Sequence, residues 1–218
     1  MREWIKAGDR ILTRGDIPQG ERELMIGQLE AARGTYRKFR QEELLATTTD
    51  RDPEAVRQLF DFLYPEFRGR DFSFDLQATL TLDCFEVAKS FNHQYIGTEH
   101  LILAMLHEGC PAAPILSDLG VNKAKVHSAV EFMIERGDRP TQGFPGLTPR
   151  ARTVIEHAGY AAQRLEHLQT TGEHLLLGLV LEGENIGASI LESLGHSLTD
   201  VREAVLYAQF DRRRRTSS

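Results

Sequence analysis

His93–Leu103 (HQYIGTEHLIL) recurs 74 residues later as His167–Leu177 (HLQTTGEHLLL). Upstream, apolar residues at 80, 84, 87, 88 and 91 fall at the same offset on apolar residues at 154, 158, 161, 162 and 165. Downstream, after one skipped residue, Ile115–Gly120 matches Ile190–Gly195. A self-match of this length marks a repeat architecture. The chain is therefore predicted to contain two copies of one unit, repeat one at 73–135 and repeat two at 147–208.

Each copy has the apolar spacing of amphipathic helices. The matching positions 154, 158, 161, 162 and 165 lie on one helical face. Thr148 followed by Pro149 is typical of a helix start, and Gly183 and Gly195 are typical of helix ends. These patterns predict four helices per copy and no strand, with Thr98 as the cap of the second helix in repeat one.

The first 70 residues match neither copy. They predict a short helix over 1–12, a longer helix over 20–46 and a third helix from Pro53, capped by Asp52. The longer helix carries a coiled-coil-like seam formed by Met25, Leu29, Ala32, Tyr36 and Phe39. We expect this seam to pack on the repeats, on the helix at 53–64 or on another chain, which includes self-association through residues 20–46. The predicted domains are a helical N-terminal extension (1–70), a double repeat (71–210) and a basic flexible tail (211–218).

Composition is that of a globular protein, with 41% apolar and 27% charged residues and a net charge of −6. The acidic excess lies in the repeats, which argues against nucleic-acid binding there. The four arginines at 212–215 are interpreted as a solvated end. Cys84 lies on an apolar stripe and is predicted to be a small buried hydrophobic residue. Neither a signal peptide, a long apolar run nor a lipidation motif is evident, so we expect a cytoplasmic protein without a membrane partner.

Four segments carry a family resemblance: Thr148–Arg152 (TPRAR), Gly97–Leu101 (GTEHL), Gly172–Leu179 (GEHLLLGL) and Ile190–Gly195 (ILESLG). Over about 73–208 the chain resembles the Clp N-terminal repeat domain, the substrate- and adaptor-docking module of the Clp unfoldases. The resemblance implies an all-α fold of two four-helix repeats packed with pseudo-twofold symmetry. Unlike those unfoldases, this sequence contains no Gly-x-x-x-x-Gly-Lys-Ser/Thr phosphate loop. We therefore expect no ATPase activity and no cofactor.

The resemblance also implies one phosphoarginine site per repeat, formed by a threonine at the start of the first helix and the glutamate of the Gly-Thr-Glu-His motif. Repeat two has Thr148 and Glu173, whereas repeat one has Glu99 but Phe74 at the threonine position, with Ser73 beside it as a substitute. A carboxylate can pair with a guanidinium, and a helix N-terminus can hold a phosphoryl group. On this alignment Thr148 and Glu173 converge into the stronger site. In the alternative interpretation, Thr148 only caps its helix and both glutamates favour helix starts through the macrodipole.

Neither catalysis nor metal binding is predicted. The histidines at 93, 100, 167 and 174 recur, but no His-x-x-x-His pair with an acidic third ligand is present. The resemblance implies a structural role for them. Since no Gly-x-Ser-x-Gly motif occurs either, we expect a non-catalytic module that captures substrate segments or adaptors, with Clp unfoldase or protease subunits as partners. The alternatives are a structural accessory subunit that docks on a Clp ring without recognising substrates, and a homologue that sequesters small-molecule ligands.

Overall fold

The computed structural model describes residues 1–13, 17–48 and 51–216, which belong to two compact units, residues 1–50 and 51–218. The sequence predicted the boundary near residue 70 instead. The segment after residue 51 joins the second unit because its aromatic side chains are core residues: Phe60 packs edge-to-face on Tyr64 and on Phe72. Residues 51–70 are therefore part of the repeat domain.

The first unit is a helical hairpin of α1 (Arg2–Leu12) and α2 (Gln19–Thr47). The two helices approach closely at Gly8, where a Cβ would lie 2.5 Å from Leu29 Cδ2. An ion pair joins Asp9 to Arg33. The α2 seam is therefore covered around Leu29 by α1, a partner that the sequence did not predict, while Phe39 at its far end stays 61% exposed.

The second unit contains the two predicted four-helix repeats, so the all-α prediction is confirmed. A helix, α3 (Pro53–Leu63), and a 3₁₀ turn (Pro65–Phe67) precede them. Repeat one comprises α4 (Phe74–Ala78), a π-helical turn (Thr79–Asp83), α5 (Cys84–Ser90), α6 (Thr98–Met105), α7 (Ala112–Asp118) and α8 (Lys123–Met133). Repeat two comprises α9 (Pro149–Arg164), α10 (Gly172–Glu182), α11 (Ile186–Ser193) and α12 (Leu198–Thr216). The apolar faces of these helices form one continuous core.

The last helix, α12, is longer than predicted. The sequence suggested a flexible tail over 211–218, but the helix continues to Thr216, and residues 217–218 lie outside the described part. Arginine is a good helix former, and cations near a helix C-terminus are favoured by the macrodipole, so the arginine run extends the helix.

No single helix in the described ranges is long and apolar enough to cross a membrane. Only the bent pair of α10 and α11 reaches the required length and composition, and only when the two are taken together. Both helices are largely buried in the repeat core.

The prediction that no strand forms is wrong in detail. Two short parallel strands, β1 (Tyr95–Ile96) and β2 (Gly146–Leu147), pair with Ile96 opposite Leu147. A matching single bridge joins Phe72 to Thr170. Each pairing satisfies buried backbone groups in an extended segment that leads into a helix. The two pairings are related by exchanging the repeats, which gives the domain its pseudo-twofold symmetry.

The π-helical turn accommodates one extra residue in repeat one. Ser73 precedes Cys84 by 11 positions, whereas Thr148 precedes Ala158, the counterpart of Cys84, by 10. The turn over Thr79–Asp83 absorbs the difference within a continuous helix. Ser73, rather than Phe74, is therefore the structural equivalent of Thr148.

Candidate functional site: two helix starts shared between the repeats

Ser73 and Thr148 occupy the N-cap positions of the first helices. Thr148 Oγ1 accepts a hydrogen bond from the Ala151 N–H at 3.2 Å, and Ser73 Oγ accepts one from the Leu76 N–H at 3.3 Å. In both cases the hydroxyl keeps its own O–H for a further acceptor. The free first-turn amides and the macrodipole make each helix start a suitable place for an anion.

Each of these helix starts faces the other repeat. The Thr148 N–H donates to the Ile96 carbonyl at 2.9 Å, and the Ser73 N–H donates to the Thr170 carbonyl at 2.9 Å. Ile96 and Thr170 stand three residues before Glu99 and Glu173, respectively. The structure thus forms a Thr148–Glu99 site and a Ser73–Glu173 site, each with one residue from each repeat.

The expected convergence of Thr148 and Glu173 is therefore wrong. Arg150, in the first turn of α9, pairs with Glu182, in the last turn of α10, at 2.5 Å. The two helices are consequently antiparallel. Glu173 lies nine residues before Glu182, about 13 Å away along the helix axis at 1.5 Å per residue. Residues of one repeat cannot form the site because their helix starts lie at opposite ends of the pair.

Glu99 is a buried carboxylate with an unsatisfied oxygen. Its side chain is 1% exposed and folds back over Gly97, where a Cβ would lie 2.6 Å from the Glu99 carboxyl carbon. Its Oε1 lies 3.1 Å from His100 Nδ1, but that nitrogen accepts the Gly97 N–H at 2.8 Å and carries no proton to donate. Glu99 Oε1 has no hydrogen-bond donor. A buried acceptor of this kind calls for a specific explanation, such as a ligand that supplies the donor.

The Ser73–Glu173 site differs because Thr171 and Gly172 reverse the order of Gly97 and Thr98. A side chain at position 171 occupies the space that the Glu99 carboxylate fills in repeat one, so Glu173 must adopt another conformation. Gly172 is needed where it stands, since a Cβ there would lie 2.5 Å from Cys110 Sγ. The sequence gave no sign of this contact between repeats.

The expected cap of α6 is also different. Gly97, not Thr98, is the N-cap residue, and the Thr98 hydroxyl instead accepts the Gly187 N–H at 3.2 Å. Thr98 thus joins repeat one to the start of α11 in repeat two. Its side chain is used for packing the repeats together and is not available to a ligand.

The recurrent histidines form two buried relays. In repeat one, the His100 Nε2–H donates to His93 Nδ1 at 2.8 Å, and the His93 Nε2–H donates to the Glu135 carbonyl at 2.9 Å. This assignment follows from the Gly97 N–H, which fixes the His100 tautomer. Burial lowers the pKa of His93. The relay holds the loop before α6, and with it the backbone under Glu99.

The relay of repeat two has the same geometry. The Thr171 N–H donates to His174 Nδ1 at 3.0 Å, and His174 Nε2 lies 2.7 Å from His167 Nδ1. Burial, together with His167, lowers the pKa of His174 to about 4. Both histidine pairs therefore orient helix starts as neutral groups.

One group of metal-ligand type occurs among the described residues, formed by His93, Glu99 and His100, with ligand atoms within 4.8 Å of one another. Its geometry does not suit a single ion. His100 faces Glu99 with Nδ1 and His93 with Nε2, on opposite sides of the ring. Since one ion cannot lie on both sides of an imidazole, the three residues form a hydrogen-bonded relay rather than a coordination site.

Comparison with known proteins identifies the family. The model of the Clp repeat (R) N-terminal domain matches residues 71–194 and 146–212. The chaperone protein ClpB of Oceanobacillus iheyensis and the negative regulator of genetic competence ClpC/MecB of Bacillus subtilis are each 42% identical over 122 residues, 56% of this chain. The chain spans about 15% of the length of these relatives.

Solved structures show the same fold. The N-terminal domain of the caseinolytic protease associated chaperone ClpD from Arabidopsis thaliana superposes with a TM-score of 0.53 at 19% identity, over 64% of this chain and 97% of that one. The Hsp104 N-terminal domain from Candida albicans superposes with a TM-score of 0.51 at 14% identity, over 64% and 92%. These superpositions establish the fold of the repeats.

Proposed function

Because the chain belongs to the Clp repeat (R) N-terminal domain family, we propose that it is a non-catalytic binding module of the Clp unfoldase–protease system. In this role it captures substrate segments or adaptors in the cytoplasm and presents them to a Clp unfoldase or protease. The proposed ligand is a phosphoarginine side chain on a client protein.

The unsatisfied oxygen of Glu99 is the observation that carries this proposal. A planar guanidinium supplies two parallel N–H donors, which is what a buried carboxylate lacks here. The phosphoryl group then lies at the start of α9, where the Thr148 hydroxyl and the free first-turn amides are donors. Arg150 stands in the same turn, 54% exposed, and can add a cation to the phosphoryl contact. The sequence analysis did not identify this arginine.

The two sites are not expected to bind equally. The Thr148–Glu99 site keeps Gly97 beneath the carboxylate, and its helix, α9, runs unbroken for 16 residues. The Ser73–Glu173 site has Thr171 in place of that glycine, and its helix is interrupted by the π turn. We therefore rank the Thr148–Glu99 site first, which reverses the order derived from the sequence.

Titration calorimetry with a phosphoarginine peptide tests this assignment, and the same peptide with unmodified arginine serves as the reference. A charge-assisted pair to a buried carboxylate contributes about 1.5–3 kcal/mol, roughly 10- to 150-fold in affinity. Glu99→Gln should remove most of the binding, and Thr148→Ala should weaken it. Glu173→Gln, the matched control at the same helix position, should have a smaller effect. Equal loss in both glutamine variants, or equal binding of the two peptides, would contradict the proposed site.

A pull-down of the full chain from its native host tests the wider role. Recovery of a Clp ring together with client proteins that change with growth conditions supports a capture module. A fixed stoichiometric protease partner without clients would instead indicate a structural accessory subunit. The Glu99→Gln variant separates these outcomes further, because it should lose clients while retaining the ring.

A further inference from the structure

The helical hairpin of the first unit leaves one face of α2 uncovered. Leu24 and Phe39 are 66% and 61% exposed. Ala31 and Thr35, also exposed, lie between them. The steps of seven, four and four residues place all four on one row along the helix. This row lies beside the Leu29 seam that α1 covers, and it is not part of that seam.

The hairpin is too small to be stable through its own contacts. Its buried apolar residues are Ile5, Leu29 and Leu44, whereas Trp4 on α1 remains 52% exposed. Units of about 50 residues bury too little surface to be more than marginally stable, and two helices alone bury less than a bundle. With only 11 residues against the 29 of α2, α1 covers only part of its partner.

The charges on α2 favour an antiparallel partner of the same sequence. Its first half carries Glu21, Glu23 and Glu30, and its second half is basic around 33–40. In an antiparallel pair that sets Leu24 of one copy against Phe39 of the other, Glu23 faces Arg40 and Glu30 faces Arg33. Exposed pairs of this kind add little affinity but select the direction of pairing. Small residues at the crossing point, around Ala31, let the two helices approach closely.

We propose that a second copy of this chain covers this face, with α2 packed antiparallel on α2 of its partner, so that two hairpins form a four-helix bundle. A 29-residue helix is about 43 Å long. With a contact width of about 10 Å, the pair buries on the order of 1,000 Å², near the lower limit for specific interfaces. The dimer is therefore expected to dissociate in the micromolar range, and it carries two repeat domains on one bundle.

Sedimentation equilibrium of the full chain between about 1 and 100 μM tests this proposal. The wild type should approach twice the 24.6 kDa chain mass as concentration rises. The double variant Leu24→Glu, Phe39→Glu should weaken association by about 100-fold or more. Phe132→Glu, on an 89% exposed aromatic of α8, is the matched control and should leave the dimer intact. Far-UV circular dichroism verifies that the variants remain helical.

A charge exchange tests the direction of the pairing. Glu23→Lys should weaken the dimer several-fold, and adding Arg40→Glu should restore it. A wild-type monomer at all concentrations overturns the proposal, as does a dimer that survives the double variant or is lost in Phe132→Glu. Absence of weakening by Glu23→Lys, or absence of restoration, overturns the antiparallel arrangement.

Discussion

Glu99→Gln removes the charge from a buried side chain while keeping its shape. An unsatisfied buried polar group costs about 1–3 kcal/mol. The charge itself recovers about 0.3–1 kcal/mol by standing at the start of α6, near the positive end of the macrodipole. The difference predicts that Glu99→Gln raises the free energy of unfolding by about 1–2 kcal/mol in the absence of ligand. The same substitution should weaken ligand binding, so stability and affinity should change in opposite directions.

Urea unfolding followed by far-UV circular dichroism measures this effect, and an unchanged m-value indicates that the unfolded state is comparable. Trp4 is the only tryptophan and belongs to the first unit, so its fluorescence reports separately on the hairpin. Glu173→Gln is the control, since Glu173 is equally buried at the same helix position but has an interaction partner. A loss of 1 kcal/mol or more in Glu99→Gln, or the same gain in both variants, would refute the claim that Glu99 lacks a partner.

Three further predictions follow from packing, titration and sequence. Gly178→Ala should destabilise the repeats by more than about 2 kcal/mol, since its Cβ would overlap the Val154 carbonyl and lie 2.8 Å from the Ala158 nitrogen; Gly159→Ala, whose Cβ would meet only a flexible arginine at 3.5 Å, should be nearly neutral in the same urea assay. His174 has a folded pKa of about 4 against 6.5, so the unfolded chain takes up its proton first. Stability should therefore fall by up to about 3 kcal/mol from pH 6.5 to pH 4, and His174→Gln should flatten that dependence. Finally, homogeneous protein should release no phosphate from ATP in a coupled assay; turnover that scales with protein concentration would contradict this.

Local patterns were enough to predict the repeats and their helices. The offset of 74 residues exposed the duplication, and the 3.6-residue apolar period predicted the helical faces that form the core. Caps were predicted where a hydroxyl or carboxylate directly precedes an apolar row: Thr148 and Asp52 both accept first-turn amides in the structure. These features depend on neighbours within one or two turns, so a single sequence contains them.

Sequence alignment misplaced Ser73 because an inserted residue leaves no mark when a helix absorbs it. Constant spacing assigned Phe74 to the threonine position, and only the π turn at Thr79–Asp83 restores the equivalence of Ser73 and Thr148. The domain boundary near residue 70 failed for a related reason. The aromatic residues of 60–72 do not repeat, yet they pack in the same core.

By itself, the sequence determined the helices, the duplication and the residue types of the site. Only the tertiary structure decided how those residues are combined: Thr148 with Glu99, and Ser73 with Glu173. The reason is physical. Antiparallel packing of α9 and α10 separates the two helix starts within a repeat, and the backbone pairing of Ile96 with Leu147 and of Phe72 with Thr170 joins the starts between repeats. Such pairing depends on backbone hydrogen bonds that any side chain can accompany, so no residue pattern encodes it.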